Sequence, residues 1–316
     1  MLNRRHLRIK VLQVLYAFYN DKESNDIKNS EKNLLHSIER IYDLYVYLLL
    51  SITELRQYAV VKQEERKQKL RPSAEDLAPN LKFVNNKVIR LLADSAELKT
   101  LSDERKINWK SDEKRKIFRN IFIELEKSEV FFEYMYNNEN DFEEDRNFMI
   151  QLFKKEIANS VYIYEFFEDE DIYWIDDIDL ACSMVIKTIK MADDGDEFDI
   201  LPLYKVHDDE KKFITHLLKS TILSDTENEE IIETLVDNWE FERIAKMDVL
   251  LLKMAITELQ NFENIPTKVT INEYIDISKY YSTPKSNVFI NGVLDKAVHM
   301  LSKKKKIKKS GRGLIQ

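Results

Sequence analysis

The chain has 316 residues, of which only four are glycine and five are proline, while 34% are charged. This composition argues against a turn-dense β architecture and predicts an all-α protein with a well-solvated surface. No apolar run approaches the roughly twenty residues of a membrane span, so we expect a cytoplasmic protein with no membrane contact. The single cysteine, Cys182, cannot form an internal disulfide, and its apolar neighbours predict that it is buried.

The first predicted helix covers residues 1–20 and is both basic and amphipathic. One stripe of apolar side chains at helical spacing predicts its core face: Leu7, Val11, Val14, Leu15 and Phe18. The opposite face combines Arg5 with Ile9, Gln13 and Tyr16. Aromatic rings stack on unpaired bases and guanidinium groups pair with phosphates, so this face suits nucleic acid. A solvated basic face explains the same pattern equally well.

The long middle region, residues 21–205, is predicted to be folded and mostly helical rather than low-complexity. Two broad apolar stripes at helical spacing support this prediction: Leu34, Leu35, Ile38, Ile41, Tyr42, Tyr45, Leu48 and Leu49 in the first, and Ile117, Ile121, Leu125 and Phe132 in the second. Residues 139–199 contain nineteen acids against five bases. We interpret them as a solvated surface, because no histidine accompanies them at metal-ligand spacing.

Part of the middle region resembles a later part of the chain. At a fixed offset of 65, seven residues are identical between the two segments: Phe148, Leu152, Lys154, Ile157, Glu165, Glu168 and Trp174 match Phe213, Leu217, Lys219, Ile222, Glu230, Glu233 and Trp239. The hypothesis is that residues 148–190 are a degenerate copy of residues 213–259. Chance similarity between amphipathic helices is the alternative, and the sequence leaves it open.

A helical pattern also covers residues 248–301, although Asn291 and Gly292 lie inside it. The apolar spacing continues through the pair: Ile290, Leu294, Ala297 and Leu301. Glycine within a helix costs about 1 kcal/mol relative to alanine. We therefore expect Gly292 to permit a close approach of a neighbouring backbone.

The last segment, residues 302–316, contains seven basic residues and no acid, although the net charge of the whole chain is −8. A lysine-rich tail of this kind is predicted to be disordered. It should strengthen phosphate binding without sequence preference and with a strong dependence on salt. Solubility is the simpler explanation of the same charges.

Three motifs follow one another near the C-terminus: Leu252-Lys-Met-Ala-x-x-Glu258-Leu259, then Ile265-Pro266-x-Lys268-Val269-x-Ile271-Asn272-Glu273, then Phe289-Ile-Asn291-Gly292-Val-Leu-Asp295. Together they resemble the signature of the NusB family of transcription antitermination factors. The N-terminal residues Arg4-Arg5-His6-Leu7-Arg8, followed by Gln13-Val14-Leu15-Tyr16, resemble the arginine-rich first helix of that family. His6 stands where many relatives have another arginine, which weakens the local charge.

The resemblance implies an all-helical factor that binds boxA-like single-stranded RNA together with a NusE-type small-subunit ribosomal protein, in the transcription elongation complex. It implies RNA contacts for the residues that match the family's RNA-binding elements: Arg4, Arg5, Arg8, Gln13, Tyr16, Tyr281, Phe289 and Asn291. It places Asp248 and Lys253 at the protein partner. It implies no cofactor and no metal.

The family pattern also divides the chain. Residues 1–20 match the first NusB-type helix and residues 206–301 match the C-terminal helical domain, so residues 21–205 are interpreted as a helical insertion. Residues 302–316 form the basic tail.

Two other classes of function, an enzyme and a protein adaptor, are alternatives to an RNA-binding factor. An enzyme is not expected, because the four glycines cannot form a phosphate-binding loop and the histidines lack ligand spacing. NusB-like domains also occur fused to ribosomal RNA cytosine methyltransferases, but the chain leaves no room for a methyltransferase domain after the signature. The remaining alternative is a non-catalytic helical adaptor for protein partners in ribosome biogenesis, in which RNA binding is lost or secondary.

Overall fold

The computed structural model describes residues 2–21, 26–195, 198–204, 207–236 and 241–314. Within these ranges every regular element is helical and no strand occurs, so the predicted all-α class is confirmed. The same ranges contain no helix that is long and apolar enough to cross a membrane.

The α-helices are, in chain order, α1 (Arg4–Asn20), α2 (Ile27–Lys67), α3 (Ala74–Leu77), α4 (Lys87–Asp94), α5 (Ala96–Arg105), α6 (Asp112–Leu125), α7 (Glu129–Tyr136), α8 (Phe142–Leu152), α9 (Val161–Glu170), α10 (Ile178–Met191), α11 (His207–Leu223), α12 (Asp225–Leu235), α13 (Lys246–Asn261), α14 (Thr267–Tyr281) and α15 (Ser286–Lys303). A π-helix follows α8 at Phe153–Ile157, and short 3-10 helices lie at Ile172–Trp174, Phe241–Arg243 and Gly311–Leu314.

The chain divides into two compact units. The first unit joins Met1–Ile38 to Tyr204–Gln316, and the second unit is Glu39–Leu203. The N-terminal helix therefore folds with the C-terminal helices. More than 160 residues, those of the second unit, lie between the two segments in the sequence. Helix α2 begins in the first unit and ends in the second.

Helix α13 forms the centre of the first unit, where it packs against α1, α11, α12, α14 and α15. Every side chain from Leu250 to Leu259 is buried, as expected for a helix that neighbours surround on all sides. Helix α1 contributes Leu7, Val11 and Leu15, each fully buried, so its predicted core stripe is confirmed for these three residues. The helix begins cleanly because the Asn3 side chain accepts a hydrogen bond from the backbone of the first turn.

Helix α2 carries the first predicted stripe of the middle region, and all of that stripe except Leu35 is buried. The core of the second unit continues into an aromatic cluster whose rings contact one another: Tyr47, Trp109, Phe118, Phe166, Phe167 and Trp174. The second predicted stripe is wrong at Phe132, which is 63% exposed. Helix α6 ends at Leu125 and a new helix begins at Glu129, so the helical phase does not carry over to Phe132.

The two segments of the proposed repeat have the same order of α-helices, although only the first contains a π-helix among the described residues. Residues 148–190 run through α8, the π-helix Phe153–Ile157, α9, a 3-10 turn and α10, while residues 213–259 run through α11, α12, a 3-10 turn and α13. Helix α8 packs on α10 much as α11 packs on α13. However, α12 packs on α13, whereas α9 packs mainly on α6. The duplication remains a hypothesis, supported by helix order and by one of two packing relationships.

The basic tail, for which the sequence predicts disorder, is described by the structure from residue 302 to residue 314. The backbone N–H of Ser310 donates to the Glu263 carbonyl at 3.1 Å, and Lys309 Nζ donates to the Phe262 carbonyl at 3.0 Å. Gly313 is buried beside the same loop, with its Cα so close to Glu263 that a Cβ would lie 1.8 Å from the carbonyl oxygen. These contacts fix the tail against the loop between α13 and α14.

Gly292 has no close neighbour, so the prediction of a close backbone approach is wrong. The residue is exposed, and a Cβ built on it would meet no heavy atom within 4 Å. The buried stripe of α15 passes through Ile290 and Leu294, and Gly292 lies on the opposite side of the helix. Packing therefore gives no reason for the glycine.

The predicted burial of Cys182 is confirmed, because its side chain lies in the core of the second unit on α10. Burial raises the pKa of its thiol to about 12, and nearby Asp179 adds to the shift. Cys182 is thus a core residue rather than a reactive thiol.

Candidate nucleic-acid interface

The N-terminal turns of α1 border a groove of about 570 Å³ in the first unit, which we call the α1 groove. Its other walls are the loop that follows α13 and the first turns of α14. The lining residues are Asn3, Arg4, Arg5, Arg8, Asn264, Ile265, Pro266, Val269 and Glu273. Three arginines thus line one concave surface, and arginine is a common partner of phosphate groups.

Arg4 is the exposed arginine of the α1 groove. Its guanidinium lies over the ring of Phe213, 5.1 Å from the centroid, and the Phe213 ring contacts Phe262 at 5.2 Å. Stacking on an aromatic face restricts a side chain that would otherwise be mobile and leaves its N–H donors free to point outward. Arg4 is therefore well placed to contact a phosphate or to stack on a base.

Arg5 lies in the same groove but already has two carboxylate partners. Its Nη2 lies 2.9 Å from Glu273 and 2.8 Å from Asp276, and its side chain is 39% exposed. The hydrogen bond to Glu273 is the main reason why the pKa of Arg5 is raised, although burial opposes the shift. A phosphate would have to compete with both acids, so Arg5 is a weaker candidate than Arg4.

Arg8 lies in the core rather than on the predicted RNA face. Its guanidinium makes two hydrogen bonds to the Glu258 carboxylate, at 2.7 and 2.8 Å, and both side chains are almost completely buried. Thr270 and Tyr274 donate to the same carboxylate at 2.8 and 3.1 Å. Burial disfavours the charged guanidinium, but Glu258 outweighs that cost, so the pKa of Arg8 is raised. The phosphate contact predicted for Arg8 would require the side chain to leave this network, which is energetically costly.

His6 is largely buried beside Arg5. Burial lowers the pKa of its imidazole, and the positive charge of Arg5 lowers it further. Among the residues that the structure describes, no group makes a hydrogen bond to His6 Nδ1. The lowered pKa favours the neutral form of the ring, in agreement with the weaker local charge expected from the sequence.

Tyr16 lies on the same face of α1 as Arg5, and eleven residues along a helix correspond to about 16 Å. Its side chain is 44% exposed. It borders a second groove of about 800 Å³ in the first unit, together with Tyr19, Glu233 and Lys246. Gln13 lies between the two grooves in sequence and is half-buried. The three predicted RNA arginines of α1 thus line one groove and Tyr16 lines another, while Gln13 lines neither.

The predicted C-terminal RNA residues differ from one another in their exposure to solvent. Tyr281 and Phe289 are half-buried, while Asn291 is exposed and its Nδ2 donates to Asp295 at 3.4 Å. Sequence reasoning missed the two most exposed apolar side chains of this region, Tyr280 at 84% and Val288 at 72%. Helical spacing could have found them, because both lie off the buried stripes of α14 and α15.

Asp248 and Lys253, the predicted partner-binding residues, are both buried within the first unit. Asp248 accepts hydrogen bonds from the hydroxyls of Ser282 and Ser286 at 2.5 and 2.8 Å. Lys253 Nζ lies 2.7 Å from Asp225 and 2.6 Å from Glu229. These contacts join helices to one another, and the partner contact expected for the two residues stays a prediction.

The basic tail ends beside the α1 groove. Asn264 lines the groove, and the tail is fixed to the two residues before it through Lys309 and Ser310. Burial lowers the pKa of Lys309, whereas Lys308 remains exposed. The tail therefore brings additional positive charge to a defined place rather than at random. The sequence did not indicate these contacts between the tail and the loop after α13.

The chemistry of this surface is that of binding rather than catalysis. It offers guanidinium and ammonium groups for phosphates, aromatic rings for bases and amide groups for base edges. Over the described parts of the chain, no three His, Cys, Asp or Glu side chains are arranged to hold a metal ion.

Comparison with known proteins gives a consistent result. Residues 184–299 match the model of the NusB family. A transcription antitermination protein NusB of Salinibacter ruber is 44% identical over 142 residues, which cover 43% of this chain and 89% of the relative. A protein of the same name from Chloroherpeton thalassium is 41% identical over 105 residues, 33% of this chain and half of the relative. One from Listeria monocytogenes is 36% identical over 89 residues, 28% of this chain and 70% of the relative. No solved structure matches the chain significantly.

Proposed function

Because the chain belongs to the NusB family, we propose that it is a transcription antitermination factor. The family is non-catalytic, so the chain is not an enzyme. In full, the proposal is that it binds boxA-like single-stranded RNA together with a NusE-type small-subunit ribosomal protein. The complex would act in the transcription elongation complex, in the cytoplasm, and support transcription of ribosomal RNA.

The observation that carries the RNA part of the proposal is the α1 groove. Arg4 is exposed and held over Phe213, and the basic tail is fixed to the loop that forms the opposite wall. Arginine contacts to phosphate provide affinity, and an ordered cationic tail adds to it without sequence preference. The groove is concave and has an apolar side at Val269, so it can hold a base as well as a phosphate.

The proposed RNA path runs along α1 from the groove to Tyr16. The distance of about 16 Å between the two ends of this face is long enough for several nucleotides of extended single strand. Arg4 would contact phosphate and Tyr16 would stack on a base, while Arg8 would hold α1 in place through Glu258. Tyr281, Phe289 and Asn291 remain proposed contacts on the C-terminal helices.

The NusE-type partner is proposed from family membership. Asp248 and Lys253 would support that interaction indirectly, because they fix the positions of α15 and α12 relative to α13. Removing either side chain would disturb the helices that the partner contacts. Neither side chain would itself contact the partner.

The test is a binding titration of the full chain with a fluorescent boxA-like RNA, with and without the NusE-type protein. We compare the parent with the double variant Arg4→Ala and Tyr16→Ala. Loss of one stacking contact of about 1–3 kcal/mol and one phosphate contact should weaken binding by roughly ten- to hundredfold. A scrambled RNA of the same length separates sequence-specific from non-specific binding.

The matched control is the double variant Lys187→Ala and Tyr164→Ala in the second unit. Tyr164 and Tyr16 are both 44% exposed, and Lys187 is an exposed cation. The control should bind like the parent. Equal RNA binding by the parent and the Arg4/Tyr16 variant would contradict the proposed RNA face.

The adaptor alternative has one observation in its favour, which is the acidity of the second unit. Residues 120–203 contain 23 acids and six bases, so this surface could attract a basic protein. If the full chain bound the NusE-type protein but bound boxA-like RNA no better than scrambled RNA, with or without that protein, the adaptor would be the better description.

A further inference from the structure

The second unit contains a basic groove of its own, which we call the α6 groove. It has a volume of about 500 Å³ and lies between α2 and the first turns of α6. Four cations line it, namely Lys110, Arg115, Lys116 and Arg119. Two carboxylates, Glu54 and Asp112, also line the groove, so two positive charges are in excess.

The four cations of the α6 groove are exposed and largely without internal partners. Among the residues that the structure describes, Arg115 alone of the four has a carboxylate within ion-pairing distance, Asp112 at 3.6 Å, and both side chains are solvated. By contrast, Arg40 and Arg105 of the same unit are each held by two carboxylates. The groove cations are therefore available to an external anion.

Helix geometry aligns these cations for a phosphate chain. Arg115 and Arg119 are four residues apart, so they lie on one face of α6 with Cβ atoms about 5–6 Å apart. Helix α6 is anchored by the burial of Phe118 and Phe122, which limits the movement of the helix that carries both arginines. Two guanidinium groups in line can contact successive phosphates of one strand.

The floor of the groove is apolar and aromatic. Tyr58 and Val61 line it from α2, and Val61 is 43% exposed. The Tyr58 ring is fixed by contact with Phe122 at 5.5 Å. Trp109 also lines the groove; it is buried and donates its Nε1 hydrogen to the Tyr47 carbonyl at 3.1 Å. A rigid apolar floor beneath a cationic rim suits a base joined to phosphates better than it suits a carboxylate side chain.

The charge of the second unit is strongly uneven. Residues 54–119 contain 17 bases and 11 acids, whereas residues 120–203 contain six bases and 23 acids. A polyanion is repelled by the acidic part and attracted to the basic part, which contains the α6 groove.

We propose that the α6 groove is a second binding site for single-stranded RNA, with phosphates on Arg115 and Arg119 and a base against Tyr58 and Val61. This inference rests on the proposed RNA-binding function and extends it to the part of the chain that lies outside the family signature. The insertion then adds RNA-binding surface to the factor.

The test uses the full chain and a U-rich single-stranded RNA labelled with fluorescein, titrated at several salt concentrations. The groove variant is Arg115→Glu with Arg119→Glu, and the matched control is Lys187→Glu with Lys190→Glu. Both change the net charge by the same amount at exposed positions of the second unit. The groove variant should bind roughly tenfold more weakly, and loss of two phosphate contacts should reduce the slope of log K against log salt by about 1.4.

A second readout locates the contact directly. RNA containing 5-iodouridine, crosslinked to the parent chain by light, should label the peptide that contains Tyr58, and the groove variant should lose that label. Equal binding by groove variant and control, or a parent crosslink that omits this peptide, would overturn the inference. The proposed function would still stand if Arg4→Ala with Tyr16→Ala weakened binding in the same assay.

Two further outcomes would also overturn the proposed second RNA site. A parent chain that binds no RNA at all would overturn both proposals together. If the groove variant lost binding to a labelled poly-glutamate peptide but kept its RNA affinity, the α6 groove would be a site for an acidic polypeptide, and the RNA proposal would be wrong.

Discussion

Arg8 and Glu258 form a fully buried ion pair with two hydrogen bonds, although 250 residues separate them in the sequence. The pair joins the first helix of the chain to the central helix of the first unit. Thr270 and Tyr274 complete the network by donating to the same carboxylate. Arg8, one of the three arginines that the family resemblance assigns to RNA, is thus the one that attaches α1 to the core.

Replacing Arg8 with methionine should therefore destabilise the first unit rather than selectively remove RNA binding. Breaking a buried pair by removing one partner costs about 3–5 kcal/mol, because Glu258 would remain buried and uncompensated. Hydrogen exchange of α13 peptides measures this loss for the first unit alone. Arg4→Met is the control and should change stability by less than about 0.5 kcal/mol. Normal exchange in Arg8→Met together with weakened RNA binding would favour the original phosphate-contact prediction.

Asp248→Ala should loosen the start of α15. The carboxylate accepts from Ser282, at the end of α14, and from Ser286, the first residue of α15, and loss of a buried acceptor costs about 1–3 kcal/mol. Faster exchange of the first turns of α15 is the expected result. Asp295→Ala, on the exposed side of the same helix, is the control. If Asp248→Ala exchanged normally but failed to bind the NusE-type protein, Asp248 would be a direct contact as the sequence predicts.

His6 should make the stability of the first unit depend on pH. Burial and Arg5 lower the pKa of its imidazole in the folded state below the usual value of 6.5. The unfolded chain therefore binds the proton more readily, and this residue's contribution to stability falls as pH decreases below about 6.5. His6→Gln should reduce the stability difference between pH 7.5 and pH 5.5, measured by urea unfolding. A steeper pH dependence in the variant would contradict the sign of the shift.

Gly292→Ala should stabilise α15. The residue is helical and exposed, with open space where the methyl group would go, so the change gains about 1 kcal/mol of helix propensity. Slower exchange of the α15 peptides is the measurement. A destabilised helix would mean that the glycine has a packing role that the open space does not reveal. Weaker RNA binding by the more stable variant would indicate close approach of RNA at this position.

Gly313→Ala should detach the basic tail. A Cβ at this position would lie 1.8 Å from the backbone oxygen of Glu263, which cannot move as a side chain could. Deuterium uptake by residues 305–314 should rise sharply, with little change in α13. RNA affinity should fall less than after deletion of residues 303–316, because the detached tail keeps its charges while the deletion also lowers the salt dependence. Unchanged uptake would show that the tail is not held at Gly313.

Local patterns in the sequence determined the helical class, the core stripe of α1 through Leu7, Val11 and Leu15, and the burial of Cys182. These follow from side-chain spacing along one helix, which the chain itself encodes over a few turns. The motifs around Glu258 and Asn291 likewise identified the family, because a signature is a property of the sequence order.

Only the tertiary structure decided which charged residues face solvent. Arg4 and Arg8 occupy neighbouring turns of one basic helix, yet the first is exposed over Phe213 and the second is buried against Glu258. The tertiary structure likewise decided that Asp248 is buried, because hydroxyl groups near the α14–α15 connection pack against it. It also decided that Gly292 has open space around it. The periodicity of the α-helix determines on which side of the helix a residue lies. The contacts that the residue makes depend on which distant helix packs against that side.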